Sequence, residues 1–176
     1  MKILILNGSP HKDGNTAYMV SKIKEKMDGE IEEIYLYDEN IKPCIDCKYC
    51  WKHEGCSIKD NMEKLYKDDY DILILASPVY MYNVTPPMFN MVTRLNWIWS
   101  NRYFLKKKIE FKKKRGILVL DGGGTGEPKH ALDTAKLVFK FLNADFDIQK
   151  DYIYSLHTNE IPAKEDKQIE EMIKKI

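Results

Sequence analysis

The chain opens with Lys2–Asn7 (KILILN), a near-continuous apolar run that stops at Gly8-Ser9-Pro10. Such a run suits a strand buried on both faces, as in the middle of a parallel sheet. Met19, Ile23 and Met27 then recur every fourth position, so a helix is expected, capped by Asn15 or Thr16. Glu30–Tyr37 alternates apolar and polar and reads as a strand nearer an edge. Segment 43–59 has no period of its own, and Asp60 or Asn61 then caps a short helix over MEKLYK. Tyr70–Tyr80 (YDILILASPVY) is the strongest strand pattern. Thr85 followed by Pro86 marks a helix start, because proline is tolerated in the first turn, and that helix is expected to run to about Trp99. Arg115–Glu127 reads as a strand leading into a glycine loop, followed by a helical stripe of Ala131, Leu132, Ala135, Val138, Phe139 and Leu142. DFDIQKDYIY reads as a last strand and AKEDKQIEEMIKKI as a last helix.

Five strands thus alternate with helices, with no internal repeat and no linker. The expectation is one α/β domain over 1–176, a doubly wound five-stranded parallel sheet with helices on both faces. Ligands of such folds sit outside the carboxyl ends of the strands. Three strand ends carry unusual loops: NGSPHKDGNT, SPVYMYN and DGGGTGE.

The first loop offers Ser9, Asn15 and Thr16 as donors, with Gly8 and Gly14 permitting close backbone approach and a helix start directly after it. Exposed N–H groups and the helix dipole favour a phosphate there. The loop is neither the nucleoside-triphosphate motif nor GxGxxG, and an ordinary turn with an N-cap is the plain alternative. The second loop places Tyr80 and Tyr82 at a strand end, where an aromatic edge could meet a flat heterocycle or pack on the next helix. The third has four glycines within Gly122–Gly126, as backbone approaching a ligand would require, although a surface loop would read the same way. One anion site, an aromatic loop and a glycine loop on one rim suit a flat cofactor with a single phosphate, and FMN fits.

All four cysteines fall within 44–56, spaced Cys44-x2-Cys47-x2-Cys50-x5-Cys56. Three cysteines at two-residue gaps can wrap one [4Fe–4S] cubane, with the fourth reaching from a short loop that Gly55 helps to turn. Zinc is a rival, although structural zinc sites join Cys pairs across a longer gap. Free thiols acting in redox sensing are a further alternative.

Composition narrows the classes. The 176 residues are 44% hydrophobic and 31% charged, ordinary for a globular protein, and the net charge of +1 gives no bias toward nucleic acid. It also speaks against a pure electron-carrier protein that docks basic partners through strong acidity. The N-terminal apolar run is too short for a signal peptide or a membrane span, so a cytoplasmic protein with reduced thiols is expected. Phe104–Arg115 carries seven lysines and arginines against one glutamate and reads as a solvated surface segment. Trp97 and Trp99 could line a flavin pocket, form a subunit contact or pack in the core. The four histidines are scattered, with no triad or histidine metal site.

The order NGSPHKDGNT, ASPVYMYNVTPP and GGGTGE resembles the NAD(P)H-dependent FMN reductases of the flavodoxin-like superfamily. With PCIDCKYC…GC…KDNM between the first two, the resemblance is to the iron–sulfur flavoproteins of that group. It spans roughly Met1 to Tyr154. It implies FMN phosphate binding at Ser9, His11, Asn15 and Thr16, with the backbone of Lys12 to Gly14 nearby. The isoalloxazine ring would be flanked by Pro78, Val79, Tyr80, Met81, Tyr82 and Asn83, and covered by Gly122, Gly123, Gly124 and Thr125. The cluster ligands would be Cys44, Cys47, Cys50 and Cys56. Relatives often have arginine after the GSP; His11 stands here, with Lys12 next to compensate, so weaker FMN binding is expected. The implied activity is electron transfer between a reduced donor, NAD(P)H or ferredoxin, and a small-molecule or protein acceptor. A homodimer or homotetramer without nucleic-acid or membrane partners is implied too. A cluster-free NAD(P)H:FMN or quinone reductase and a flavodoxin-type carrier are the alternatives.

Overall fold

A computed structural model describes residues 1–124 and 126–176. Its strands are β1 (Lys2–Asn7), β2 (Glu30–Tyr35), β3 (Ile72–Pro78), β4 (Lys114–Asp121), β5 (Ala144–Asp145) and β6 (Tyr152–Ser155). Its helices are α1 (Asn15–Lys24), α2 (Met62–Tyr66), α3 (Pro86–Arg94), α4 (Asn96–Phe104), α5 (Lys129–Phe141) and α6 (Lys167–Ile173). All strand pairs are parallel, in the order β2-β1-β3-β4-β5, with β6 also on β4.

The alternation within the apolar strands sorts side chains into two layers. Ile3, Ile5, Ile72, Ile74, Ile117 and Val119 face α1 and α6, packing with Met19, Ile23, Ile169 and Ile173. Leu4, Leu6, Leu73, Leu75, Leu118 and Leu120 face the opposite layer of α2 to α5, with Met62, Met88, Ile98, Val138 and Phe139. The sheet is therefore covered on both faces, which is why its central strands read as continuous apolar runs.

The expected fifth strand is interrupted. β5 pairs with Lys114 and Arg115, while β6 pairs with Leu118 to Asp121. Between them Asp147 accepts from Gln149 N at 2.9 Å, and Asp151 accepts from Asp147 N at 2.9 Å and Arg115 Nε at 2.7 Å. These aspartates fold DIQKD into a turn, since carboxylates bonding nearby N–H groups compete with a sheet ladder. The helix expected to run through Trp99 is two helices that meet at Leu95, where the Leu95 N–H takes the tighter path to Val92 O at 3.1 Å. The last helix is shorter than its apolar pattern and starts at an Asp166 cap, whose side chain accepts from Gln168 N. Among the described residues no helix is long and apolar enough to cross a membrane.

Segment 104–115 is drawn into ion pairs: Lys112 meets Asp71, and the buried Lys114 meets Asp68 at 2.7 Å. Trp97 packs against the core and meets Tyr66 edge-on at 5.3 Å, whereas Trp99 is exposed and stacks on Tyr103.

Candidate functional site

The loops after β1, β3 and β4 converge as the strand-end pattern predicts. They line one cavity of about 280 Å³. Ser9, His11, Gly14, Asn15 and Thr16 come from the first loop and the start of α1. Pro78, Val79 and Tyr80 come from the second, and Gly123 from the third.

Helix α1 presents its N-terminus to this cavity. Its N-cap is Gly14, not Asn15 or Thr16, and no side-chain cap bonds it among the described residues. Both side chains expected to cap it are used elsewhere. Asn15 Oδ1 accepts from Ala163 N at 3.0 Å, and the Thr16 hydroxyl donates to the Asp121 carboxylate. Uncapped N–H groups at a helix start form an anion site. Ser9 Oγ donates to His11 O at 3.0 Å and accepts from His11 N, which holds the loop in a tight turn.

Lys12 does not line the cavity. Its ammonium pairs with Asp38 at 2.6 Å and lies over the Tyr35 ring, away from the cavity wall. Gly8 permits close approach, but to protein: a Cβ there would stand 2.7 Å from Thr85 Oγ1. The Thr85 hydroxyl donates to Gly8 O at 2.8 Å, and its N–H donates to Ser77 Oγ, fastening the first loop to the second.

In the second loop Tyr80 and Asn83 exchange backbone hydrogen bonds, so Met81 and Tyr82 form a two-residue turn. Both are left-handed, with φ of 47° and 67°, a conformation strained for side chains of this size. Met81 is 91% exposed and Tyr82 is exposed beside it. Neither lines the cavity. Asn83 is turned inward: its Oδ1 accepts from Val84 N and from the Thr134 hydroxyl. In the third loop Gly122 and Gly123 pack on the segment after β6, through Thr158 N to Gly122 O at 3.0 Å and a Cβ-sized space filled by Asn159. Gly124 faces open space, and Thr125 lies outside the described residues.

Three cavity residues escape the motif reading: Asp121, Thr158 and Asn159. Asp121 directly precedes the glycine loop at the end of β4, so the strand-end rule alone could have found it. Thr158 and Asn159 follow β6, whose pairing on β4 could not be foreseen. Burial pushes the Asp121 carboxyl pKa up, with the Thr16 hydroxyl opposing.

The cysteine segment follows β2 and has one turn of regular structure, Tyr49–Trp51. Left-handed residues Asp46, Lys48 and Gly55 bend it repeatedly. The four cysteines are free thiols lining one small cavity of about 20 Å³, walled by Trp51, Trp97, Ile58 and Arg94. The Ser57 hydroxyl, 3.2 Å from Cys47 Sγ, and backbone N–H groups hold that thiol below its usual range. Helices α3 and α4 clamp the segment. Thr93 Oγ1 accepts from Cys44 N at 3.1 Å. The buried Arg94 guanidinium donates to Lys42 O, Ile58 O and Asp60, tying both ends together. Asn101 bonds the middle, at Cys50 O, His53 O and Gly55 N. Among the described residues no three His, Cys, Asp or Glu side chains converge on one ion position.

Comparisons with known proteins bear on the family and the fold. An iron-sulfur flavoprotein of Archaeoglobus fulgidus is 34% identical over 114 residues, covering 62% of this chain and 56% of that protein. A second from the same organism is 29% identical over 145 residues, covering 80% of this chain and 63% of that protein. The chain thus matches less than two thirds of the length of these relatives. The azoreductase structure from Bacillus anthracis superposes with a TM-score of 0.67 at 14% identity, over 99% of this chain and 95% of that one, a likeness of fold. A family model described as NADPH-dependent FMN reductase matches residues 1–153, and the chain with its flavodoxin-like sheet belongs to that family.

Proposed function

We propose that this chain is a single FMN-binding domain that works as an NAD(P)H-dependent oxidoreductase. The observation that carries this reading is the convergence of three strand-end loops and the uncapped start of α1 on one cavity. The α1 N–H groups, with Ser9 and His11, would hold the phosphate through backbone dipoles in place of a fixed arginine. Pro78, Val79 and Tyr80 would position one edge of the ring, and Gly123 the other. Met81 and Tyr82, exposed on a strained turn, would cover the ring from outside. FMN supplies hydride acceptance from NAD(P)H and release of electrons singly or in pairs, so the protein needs no side-chain acid or base for that chemistry.

The cysteine cavity fits a [4Fe–4S] cluster in its donor set: four thiols on one clamped loop, with apolar and cationic walls. Such a group supplies one-electron transfer, which would couple FMN to a one-electron donor or acceptor such as ferredoxin. The curated relatives named as iron-sulfur flavoproteins support this reading. Helix α3 links the two places: Thr85 at its start bonds the phosphate loop, and Arg94 at its end bonds the cysteine segment. A homodimer or homotetramer in the cytoplasm completes the proposal by family resemblance.

The test is binding of FMN against riboflavin, followed by anaerobic NAD(P)H oxidation and assay of iron and acid-labile sulfide. Tight FMN with weak riboflavin binding supports the phosphate site. Flavin without iron after reconstitution leaves a cluster-free reductase. Equal affinity for the two flavins would overturn the anion site.

A further inference from the structure

Buried donors without partners gather beside the cysteine cavity. Among the described residues, Arg94 Nε and Trp97 Nε1 are buried with no hydrogen-bond partner, and both side chains line that cavity. Buried polar groups are almost always bonded, because an unmet donor loses its hydration with nothing in return. Trp97 has a neighbour in the Tyr66 ring, met edge-on. Arg94 Nε has none.

The Arg94 guanidinium is fixed in orientation. Nη1 donates to Lys42 O at 3.1 Å and to Asp60 at 2.6 Å, and Nη2 donates to Ile58 O at 2.9 Å. Its side chain is 0% exposed. Burial lowers the Arg94 pKa, but the hydrogen bond from the guanidinium to Asp60 and the charge of that carboxylate work against it and the net shift is upward. Lys42 and Ile58 lie just outside the first and last cysteines, so one side chain closes the loop while its third nitrogen is left without a hydrogen-bond partner.

We propose that Arg94 Nε–H donates a hydrogen bond to sulfur in the cysteine cavity, making Arg94 a positioning residue that raises the reduction potential of the group bound there. The inference rests on the cluster reading above. The physical basis is general: a donor and a positive charge beside cluster sulfur favour the more negative, reduced state.

The experiment uses the full chain carrying 15N-arginine, reconstituted anaerobically with iron and sulfide, reduced, and studied by pulsed EPR. A 15N coupling to the reduced cluster is expected in the wild type. Arg94→Lys should lose it while Arg102 and Arg115 remain labelled, and its cluster should titrate at a more negative potential. Trp97→Phe, which keeps a ring but removes the indole N–H, should retain the coupling. If Arg94→Lys fails to fold, the wild-type coupling still decides. Bound cluster without 15N coupling overturns this inference alone. No iron in the reconstituted wild type overturns it together with the reading beneath it.

Discussion

The side-chain amide of Asn101 donates to the carbonyl of Cys50 at 2.6 Å, across 51 positions of chain. The same amide donates to His53 O, and its oxygen accepts from Gly55 N, both at 3.0 Å. Asn101 itself is fully buried, while the loop groups it meets are partly buried or exposed. Asn101→Ala leaves the loop groups unmet and should destabilise the protein by about 2–4 kcal/mol. Urea unfolding checks this, and alkylation of Cys50 should be faster in the variant.

Arg94 and Asp60 form a buried ion pair, their side chains 0% and 7% exposed. Asp60→Ala strands the guanidinium and should cost about 3–5 kcal/mol. Burial pushes the Asp60 pKa up, but hydrogen bonds from Arg94 and from the Lys42 and Met62 N–H groups bring it below the ordinary value. The unfolded chain therefore binds more protons over that window, and stability falls as pH drops from about 4 through the folded value. Asp60→Asn should flatten that part of the acid-unfolding profile.

Asp121 has the opposite sign. Its raised carboxyl pKa means that the folded state holds the proton longer, so stability declines as pH rises from the ordinary carboxylate range through the folded value. Asp121→Asn should be more stable than the wild type at neutral pH and should lose that advantage in acid. It should also bind FMN more tightly at neutral pH, because a negative charge has left the wall of the proposed phosphate cavity. Thermal unfolding and FMN fluorescence titrations at both pH values check the two effects.

Tyr82 sits at φ 67° in a two-residue turn that glycine would occupy without strain. Tyr82→Gly should raise stability by about 1 kcal/mol. It should weaken FMN binding if the ring is covered there. Higher stability with unchanged FMN affinity would separate the strained turn from the cofactor.

Gly8→Ala drives a Cβ to 2.7 Å from Thr85 Oγ1, the atom that joins the first and second loops. The expected cost is about 1–3 kcal/mol of overpacking. The loss of FMN affinity should exceed that of an Ala substitution at the open Gly124, and calorimetry on both variants compares them.

Much of the site was legible because its loops follow directly from strand ends. Ser9, His11, Pro78, Val79, Tyr80 and Gly123 are all at the cavity. Lys12 stands off the cavity because its ammonium pairs with Asp38, which lies after β2, outside the motif. Asn83 does not line the cavity, and its side-chain oxygen serves Val84 N and the Thr134 hydroxyl on α5. The donors of α1 were misread as caps because Thr16 has a partner 105 positions away.

The alternation of side chains is a local property of the backbone, so the strands, their two buried faces and the flanking helices could be read from the chain alone. The spacing of the cysteines is local in the same way. Which distant groups meet is not. The break in the fifth strand, the pairing of Thr16 with Asp121 and the clamp of Arg94 and Asn101 on the cysteine segment arise where separate elements pack together. A buried polar atom takes whatever partner that packing brings within hydrogen-bond reach, and no periodicity in sequence encodes it.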